Sequence, residues 1–335
     1  MTVAREVEGR PRREKRARTP LPWLVVAPGL VWGVLRVTGA QVDAATQLIA
    51  FTPYAALWSV LLFLLALTFR RWWAAVVAAL AAGLLLGAVT PRAIGAGDRG
   101  PRDGVTLPVM SANLRAGGAD PATVVRLVRD NHVGVLALQE FTRESRAALT
   151  AAGLDVLLPY ASLASADPRD DTGSALYSRY PISDAGSRLN RGGFRQAYGQ
   201  IQPSGAGPLL VESVHTLAPA SRARVDGWQR DLADQPVPDP GAPPQVLLGD
   251  FNATLDHRPF RDLVERGYRD VADTVGGGLR PTWGPFGIQP LRLLTLDHVL
   301  ADRRIGVVSL SVRDLANSDH RALLATLRIP APGAS

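Results

Sequence analysis

None of the 335 residues is cysteine. That absence excludes a disulfide framework, a thiolate zinc site and a cysteine nucleophile, and it suits an oxidising compartment. Net charge is missing from most of the chain as well. The total of +7 comes from 37 Lys+Arg against 30 Asp+Glu, and residues 1–94 supply all of it with 11 basic and 4 acidic side chains. The other 241 residues balance at 26 of each sign. A dedicated basic nucleic-acid-binding domain is thereby disfavoured, and nucleic acid is not the expected partner. No internal repeat or coiled-coil period is visible.

Charge is also absent from two long apolar stretches, Ala44 to Phe69 and Trp72 to Val89. Each satisfies the requirement of about 20 mostly apolar residues for a membrane span. A third stretch, Leu21 to Val37, is shorter, is broken by Pro28, Gly29 and Gly33, and carries Arg36 near its far end, where an arginine is expected to snorkel to the interface. The basic residues set the orientation. Seven precede the first stretch, and Arg70-Arg71 fills the turn before Trp72-Trp73. Both signals fit three spans with the tail inside, so that residues after about Arg92 lie outside the cell. A cleaved signal peptide is the weaker reading, because two further apolar stretches follow. The expected organisation is a basic cytoplasmic tail over 1–20, a three-span anchor over 21–92, a Gly- and charge-rich linker over 93–104 and a domain over 105–330. The lipid bilayer is then a partner, and the cell membrane the location.

Within the domain, Val105–Asn113 and Val133–Gln139 read as buried strands, each followed by a helix, near 120–131 and 142–152. Asp120-Pro121 supplies an N-cap and a proline for the first turn of the earlier helix. Further strands are expected at 173–179, 196–202, 208–215, 244–249, 295–300, 305–312 and 321–328, with helices near 219–234 and 257–266. Two early β-α units followed by many strands argue for an α+β domain with packed sheets.

Acidic, amide and histidine residues recur where these strands begin or end: Asn113, Glu140, His215, Asp250, Asn252, Asp297 and the pair Asp319-His320. Side chains at strand ends can converge on one edge of a rigid sheet. Hard oxygen donors suit Mg2+, or alternatively Mn2+, and not zinc. A divalent ion with open positions is what phosphate-ester hydrolysis requires. Other histidines read as structural. His298 should face away from Asp297 by strand alternation, His132 sits at a helix end, and His257 is placed to cap a helix.

The ordered set SANL (111–114), LQE (138–140), YSRYPI (177–182), VHT (214–216), GDFN (249–252), LDHV (296–299) and SDH (318–320) resembles the endonuclease/exonuclease/phosphatase superfamily. The resemblance implies a four-layer α/β/β/α sandwich of the DNase I type over about 105–328. It also implies roles. Glu140 resembles the main metal ligand, with Asn113 and Asp319 completing or supporting the metal site. Asp250 and Asn252 match the pair that positions the attacking water and the phosphoryl oxygens. His320 matches the histidine that contacts phosphate or acts as base, Asp297 the carboxylate that orients it, and His215 the histidine that assists the leaving group. Tyr177-Ser178-Arg179 resembles a serine-arginine signature near the site. With its apolar anchor, the chain is similar to membrane-bound actinobacterial members associated with teicoplanin resistance, whose proposed substrates are lipid-linked pyrophosphates. Arg191 and Arg195 in NRGGFRQ are candidate phosphate-binding residues, and Trp283 and Phe286 in PTWGPFG a candidate apolar rim. The expected function is an extracytoplasmic phosphohydrolase acting on a phosphorylated lipid. An extracellular nuclease and a binding module for wall precursors are the alternatives.

Overall fold

Short strands, buried on both faces and separated by polar turns, assemble in the last two thirds of the chain into two six-stranded sheets. The computed structural model describes residues 21–40, 43–98, 100–164, 171–284 and 291–333; the basic tail over 1–20 and Phe286 lie outside them. The N-terminal helices are α1 (Leu21–Thr38), α2 (Asp43–Ile49), α3 (Thr52–Thr68) and α4 (Trp72–Ile94). The first half of the domain contains β1 (Val105–Asn113), α5 (Pro121–Asp130), β2 (Val135–Gln139), α6 (Arg143–Ala151), α7 (Leu154–Leu157), β3 (Tyr160–Ala164), β4 (Ser174–Ser178), β5 (Ile182–Leu189) and β6 (Arg195–Ile201). The second half contains β7 (Leu209–His215), α8 (Arg222–Ala233), β8 (Gln245–Asp250), α9 (Arg258–Glu265), β9 (Tyr268–Asp270), α10 (Val271–Thr274), β10 (Asp297–Asp302), β11 (Gly306–Asp314) and β12 (Arg321–Ile329).

One sheet runs β11-β12-β1-β2-β4-β3 and the other β5-β6-β7-β8-β10-β9. In each, two central strands are parallel, β1 with β2 and β7 with β8, and their outer neighbours antiparallel. Strand alternation then builds the layers. Leu107, Val109, Val135, Ala137, Val211, Val246, Leu248 and Val299 face inward and form the core between the sheets. Met110, Ala112, Leu136 and Leu138 face outward against Val124, Val125 and Val128 of α5 and Leu149 of α6. Val214, Leu247 and Leu300 face outward on the other side, against Trp228 of α8 and Phe260 of α9. This is the expected four-layer sandwich. Asp120 does cap α5, its carboxylate accepting from Thr123 N at 2.8 Å.

The N-terminal third differs from expectation in two ways. The stretch Ala44–Phe69 is not one helix. Pro53 disfavours a helical conformation in the residue before it and opens α3, while Thr52 Oγ1 bonds back to Ile49 O at 2.6 Å, so the chain turns between α2 and α3. Among the described residues one helix, Trp72–Ile94, is long and apolar enough to cross a membrane, and Trp23–Thr38 and Thr52–Thr68 are shorter apolar helices. In contrast, Pro28, Gly29 and Gly33 do not break α1. The two glycines are contact points: a Cβ at Gly29 would stand 2.8 Å from Ser59 Oγ of α3, and one at Gly33 3.2 Å from Leu84 Cβ of α4. Small residues at such crossings let helices approach closely, and Ala74, Ala75, Ala78, Ala81 and Ala82 of α4 are buried in the same way.

The segment after α4 lies along the domain. Gly97 N bonds Thr274 O at 3.2 Å, and Asp98 pairs with Arg269 at 3.1 Å.

Gly249, in the GDFN motif, is required by close approach. A Cβ there would stand 1.9 Å from the Val214 carbonyl oxygen of the neighbouring strand. Gly249→Ala is expected to destabilise the domain by about 3 kcal/mol. Differential scanning calorimetry should then register a thermal midpoint lower by roughly 6–12 °C; an unchanged midpoint would refute this reading of the close strand approach.

Candidate metal and phosphate site

The inward-facing positions that build the apolar core turn polar at one end of both sheets. Ser111, Gln139 and Ser213 come first. Ser111 Oγ bonds Gln139 Oε1 at 3.3 Å, and Gln139 Nε2 donates to Ser213 Oγ across the sheets at 3.0 Å. Beyond them the same faces present Asn113, His215, Asp250 and Asp297. Register aligns these: Asn113 pairs with Gln139, and Asp250 with both His215 and Asp297. The site therefore sits where the carboxyl ends of β1, β2, β7 and β8 meet the starts of β10 and β12.

Asn113 ties the sheets together. Its Nδ2 donates to Glu140 Oε1 at 3.0 Å and to Asp250 Oδ2 at 3.1 Å. Glu140 Oε2 accepts from Ala116 N at 2.6 Å. Glu140, Arg115 and Ala116 hold φ of 52°, 50° and 50°, and Asn252 holds 47°. Left-handed backbone at non-glycine residues is costly and collects where function fixes the geometry. Asn252 is held by its own N–H to Asp250 Oδ1 at 2.8 Å and by Nδ2 to Thr216 O at 2.9 Å.

The two histidines of the site are in opposite states. His320 Nδ1 donates to Asp297 Oδ2 at 2.9 Å, and its Nε2 lies 3.6 Å from Asp250 Oδ2. Burial opposes its charge, but Asp297 and Asp250 outweigh burial and lift its pKa to about 10, so the ring is an imidazolium at neutral pH. His215 is buried with no comparable carboxylate contact, its Nε2 3.8 Å from Asp250, and burial with the nearby His320 charge lowers it to about 3. It is a neutral ring, packed against Phe194 with centroids 4.1 Å apart and planes tilted by 52°, and its buried Nδ1 has no partner among the described residues. Burial also raises the two carboxylates, Glu140 against its bonds from Asn113 and Ala116, and Asp250 to about 7 against the attraction of His320.

One buried and one half-buried carboxylate that resist ionisation fit a divalent cation. Glu140 and Asp250 share one amide donor, so their oxygens face a common space, and they offer the hard donors that Mg2+ or Mn2+ takes. Ligand atoms of Asp250, Asp297 and His320 lie within 4.8 Å of one another and form the compact ligating cluster among the described residues. His320 is the weak member, because a protonated ring has no lone pair to give. Of the expected trio Asn113, Glu140 and Asp319, the first two meet. Asp319 is turned to the rim, where Oδ2 accepts from Trp283 Nε1 at 3.3 Å and Oδ1 lies 3.9 Å from Arg115 Nε.

The remaining candidates divide. Trp283 stands at the site, its ring 6.4 Å from that of His320. Arg191, a candidate phosphate-binding residue, is exposed and paired with Asp234 at 2.7 Å. Arg195 opens β6 beside Phe194, its backbone N bonded to Thr172 O at 2.9 Å. The serine-arginine signature is at the wrong end. Ser178 pairs with Val135, five residues from Glu140, which is roughly 17 Å along a strand. Arg179 there donates to Val133 O at 3.2 Å, a structural task. His298 does face away, bonded to Asp270 at 2.6 Å and to Ala253 O at 2.9 Å. His132 closes the end of α5 through its backbone N–H to Arg129 O at 3.2 Å. His257 occupies the N-cap position of α9 without capping it, and binds Thr254 N and Thr46 O instead. Sequence reasoning missed Thr282, whose Oγ1 accepts from Leu296 N at 3.0 Å and Asp297 N at 3.2 Å, and Phe194. Neither has a motif around it that names its role.

A cation must displace whatever protons Glu140 and Asp250 carry. Its affinity should fall by roughly tenfold per pH unit as pH drops below the value of about 7 to which Asp250 is raised, and more steeply where Glu140 is protonated as well. Calorimetric titration of metal-free protein with Mn2+ between about pH 7.5 and 5.5 checks this, and a pH-independent affinity would contradict it.

The geometry agrees with what the chain resembles in other proteins. The family described as Endonuclease/Exonuclease/phosphatase matches residues 110–320. Among curated proteins, none matches the chain. Several solved structures share its fold. An endonuclease/exonuclease/phosphatase from Beutenbergia cavernae is 20% identical with a TM-score of 0.52, covering 68% of this chain and 73% of its own. A humanized D. rerio TDP2 is 14% identical with a TM-score of 0.53, covering 67% and 99%. An AP endonuclease from Archaeoglobus fulgidus is 14% identical with a TM-score of 0.50, covering 65% and 98%. At these identities the likeness is one of fold. On the match over residues 110–320, joined to the two-sheet architecture, the chain belongs to the endonuclease/exonuclease/phosphatase family.

Proposed function

We propose that this chain is a membrane-anchored, divalent-metal-dependent phosphohydrolase, held on the extracytoplasmic face and acting on a lipid-linked phosphate or pyrophosphate such as a polyprenyl pyrophosphate of cell-wall synthesis. Members of the family are typically hydrolases of phosphoester bonds that use divalent metals. One observation carries the lipid reading. The corner between α2 and α3, at Ala50 and Phe51, packs with Leu294, Leu296 and Trp283, the residue whose ring borders His320. The wall of the pocket is thus continuous with the end of the helical unit.

That unit is apolar on its outside. Leu57, Trp58, Leu61, Leu64 and Leu65 of α3 and Val76, Leu80, Leu84 and Leu86 of α4 are exposed, a surface suited to lipid tails. At about 1.5 Å per residue α4 is roughly 35 Å long and α3 roughly 26 Å, against a hydrocarbon core of about 30 Å; tilt and local thinning absorb such differences. Arg70, Arg71, Trp72 and Trp73 lie at the end remote from the domain. Basic and aromatic residues there support a cytoplasmic end and an external domain.

A bound divalent cation would neutralise charge on the phosphoryl oxygens and acidify water beside it. The chain's own groups do the rest. His320, positive and oriented by Asp297, donates from Nε2 to a phosphoryl oxygen. Asp250, its carboxylate fixed by Asn252 and Asn113, positions the attacking water and accepts its proton. His215 remains neutral. A phosphate leaving group is stable as an anion, so pyrophosphate cleavage makes little demand on that histidine.

A nuclease is the second reading, supported by the shared fold of the AP endonuclease and by the phosphodiester chemistry this geometry allows. The charge balance of residues 95–335 speaks against it. Full-length protein in proteoliposomes with Mg2+ is expected to release phosphate from polyprenyl pyrophosphate and to lose that activity in EDTA. DNA nicking in its place would favour the nuclease, and retained binding without turnover the wall-precursor binding module. His320→Ala should lower kcat by roughly 100-fold or more, while His215→Ala stays within about tenfold. Equal losses would contradict the assigned roles.

A further inference from the structure

Four residues after Asn252 the chain meets the helical unit. Asp256 is buried, its side chain 1% exposed, between two arginines from different helices. Arg36 Nε of α1 donates to Oδ1 at 2.6 Å; Arg92 of α4 donates from Nη2 to Oδ1 at 2.6 Å and from Nη1 to Oδ2 at 2.8 Å. The neighbouring residues are engaged as well. Arg36 Nη2 bonds Leu255 O at 3.0 Å, and Arg261 Nη1 bonds Asp256 O at 2.6 Å. The His257 ring accepts from Thr254 N at Nδ1 and so carries its proton on Nε2, which bonds Thr46 O of α2 at 2.9 Å. Residues 254–257 are therefore gripped by α1, α2 and α4. Arg36, expected at a lipid interface, is instead a buried contact with the domain.

From this geometry we propose that Asp256 is a positioning residue through which α1 and α4 set the Asp250–Asn252 turn, so that the helical unit is a working part of the site. The proposal deepens the phosphohydrolase reading and rests on it for its catalytic consequence. Asn252 holds a left-handed backbone, φ 47°, that must be imposed from both sides. On one side stands β8, paired with β7 and β10. On the other, His298 holds Ala253 O at 2.9 Å, residues 254–257 close on themselves through Thr254 N to His257 Nδ1 at 2.9 Å and His257 N to Thr254 O at 3.0 Å, and the helices hold that closed turn through Asp256 and His257. Asp256 is what allows two guanidinium groups to meet there. Burial alone would raise its carboxyl, and Arg92 and Arg36 overcome that and hold it below the usual carboxylate range. Without its charge, two buried like charges face each other, a strongly disfavoured state. The ends of α1 and α4 must then separate and release the loop.

Full-length wild type, Asp256→Asn, Asp256→Glu and Arg36→Gln, each in nanodiscs, test this by hydrogen exchange and by hydrolysis of bis(p-nitrophenyl) phosphate, a soluble probe that needs no bilayer. Asp256→Asn is expected to speed exchange of the amides over 250–257 while β1, β2 and β12 keep their protection. It should lower kcat at least tenfold with KM changed less than about threefold, and Asp256→Glu should recover part of the loss. Arg36→Gln keeps the Arg92 pair and hence the fold, and should show the same changes to a smaller extent, which decides the matter if Asp256→Asn does not fold. Loosened amides with unchanged kcat would overturn the proposal, leaving the junction a mechanical joint. Failure of the wild type to cleave any phosphoester would instead remove the phosphohydrolase reading. The exchange data then decide alone, and undisturbed protection over 250–253 would overturn the proposal.

Discussion

Negative charge buried between two sheets is the constraint on which the rest of this structure depends. Asp250 is withdrawn from water, and Glu140 partly so, at the point where the inter-sheet core ends, and a buried carboxylate is tolerated only with compensation. The compensation is visible residue by residue. Asn113 Nδ2 is shared between the two, Ala116 N serves Glu140, Asn252 N serves Asp250, and His320 is kept protonated by Asp297. What these groups leave uncompensated is what a divalent cation would neutralise, so the preorganisation needed for phosphoryl chemistry and the requirement for metal have one origin.

The same problem recurs at Asp256 and is solved from outside the domain. There the counter-charges are Arg36 and Arg92, whose helices have an apolar exterior. Only five residues separate the two buried aspartates, so the carboxylate that faces substrate and the carboxylate that faces the helices are parts of one loop. Trp283 makes a second connection, packing in the cluster that includes Ala50 of the helical unit and bonding Asp319 at the pocket rim. A lipid head group near the ends of these helices would meet the pocket at high effective concentration.

Much of this was legible in the sequence because the site obeys strand periodicity. Asn113, His215, Asp250 and Asp297 continue the inward-facing rows of their strands, and a polar residue ending an apolar row is readable without coordinates. His298 was separable from Asp297 by the same alternation. Long-range pairings were not legible. Nothing near Arg36 reveals that its partner lies 220 residues away, and Asp256 reads as an ordinary loop acid. Arg191 meets Asp234 only because α8 folds back beside the loop. The break between α2 and α3 was hidden for another reason: an uninterrupted apolar composition masked the local effect of Pro53. The serine-arginine signature, which the resemblance places near the site, lies away from it because β4 runs antiparallel to β2 and carries Ser178 away from Glu140.

The most direct test of the account is the location of the cation. In crystals of the full chain grown with Mn2+, anomalous scattering should give a peak within coordination distance of the Glu140 and Asp250 carboxylates, beside Asn113 and facing His320. A peak held at the rim by Asp319, or none under conditions where the protein turns over substrate, would contradict the claim that these two carboxylates exist to hold a metal.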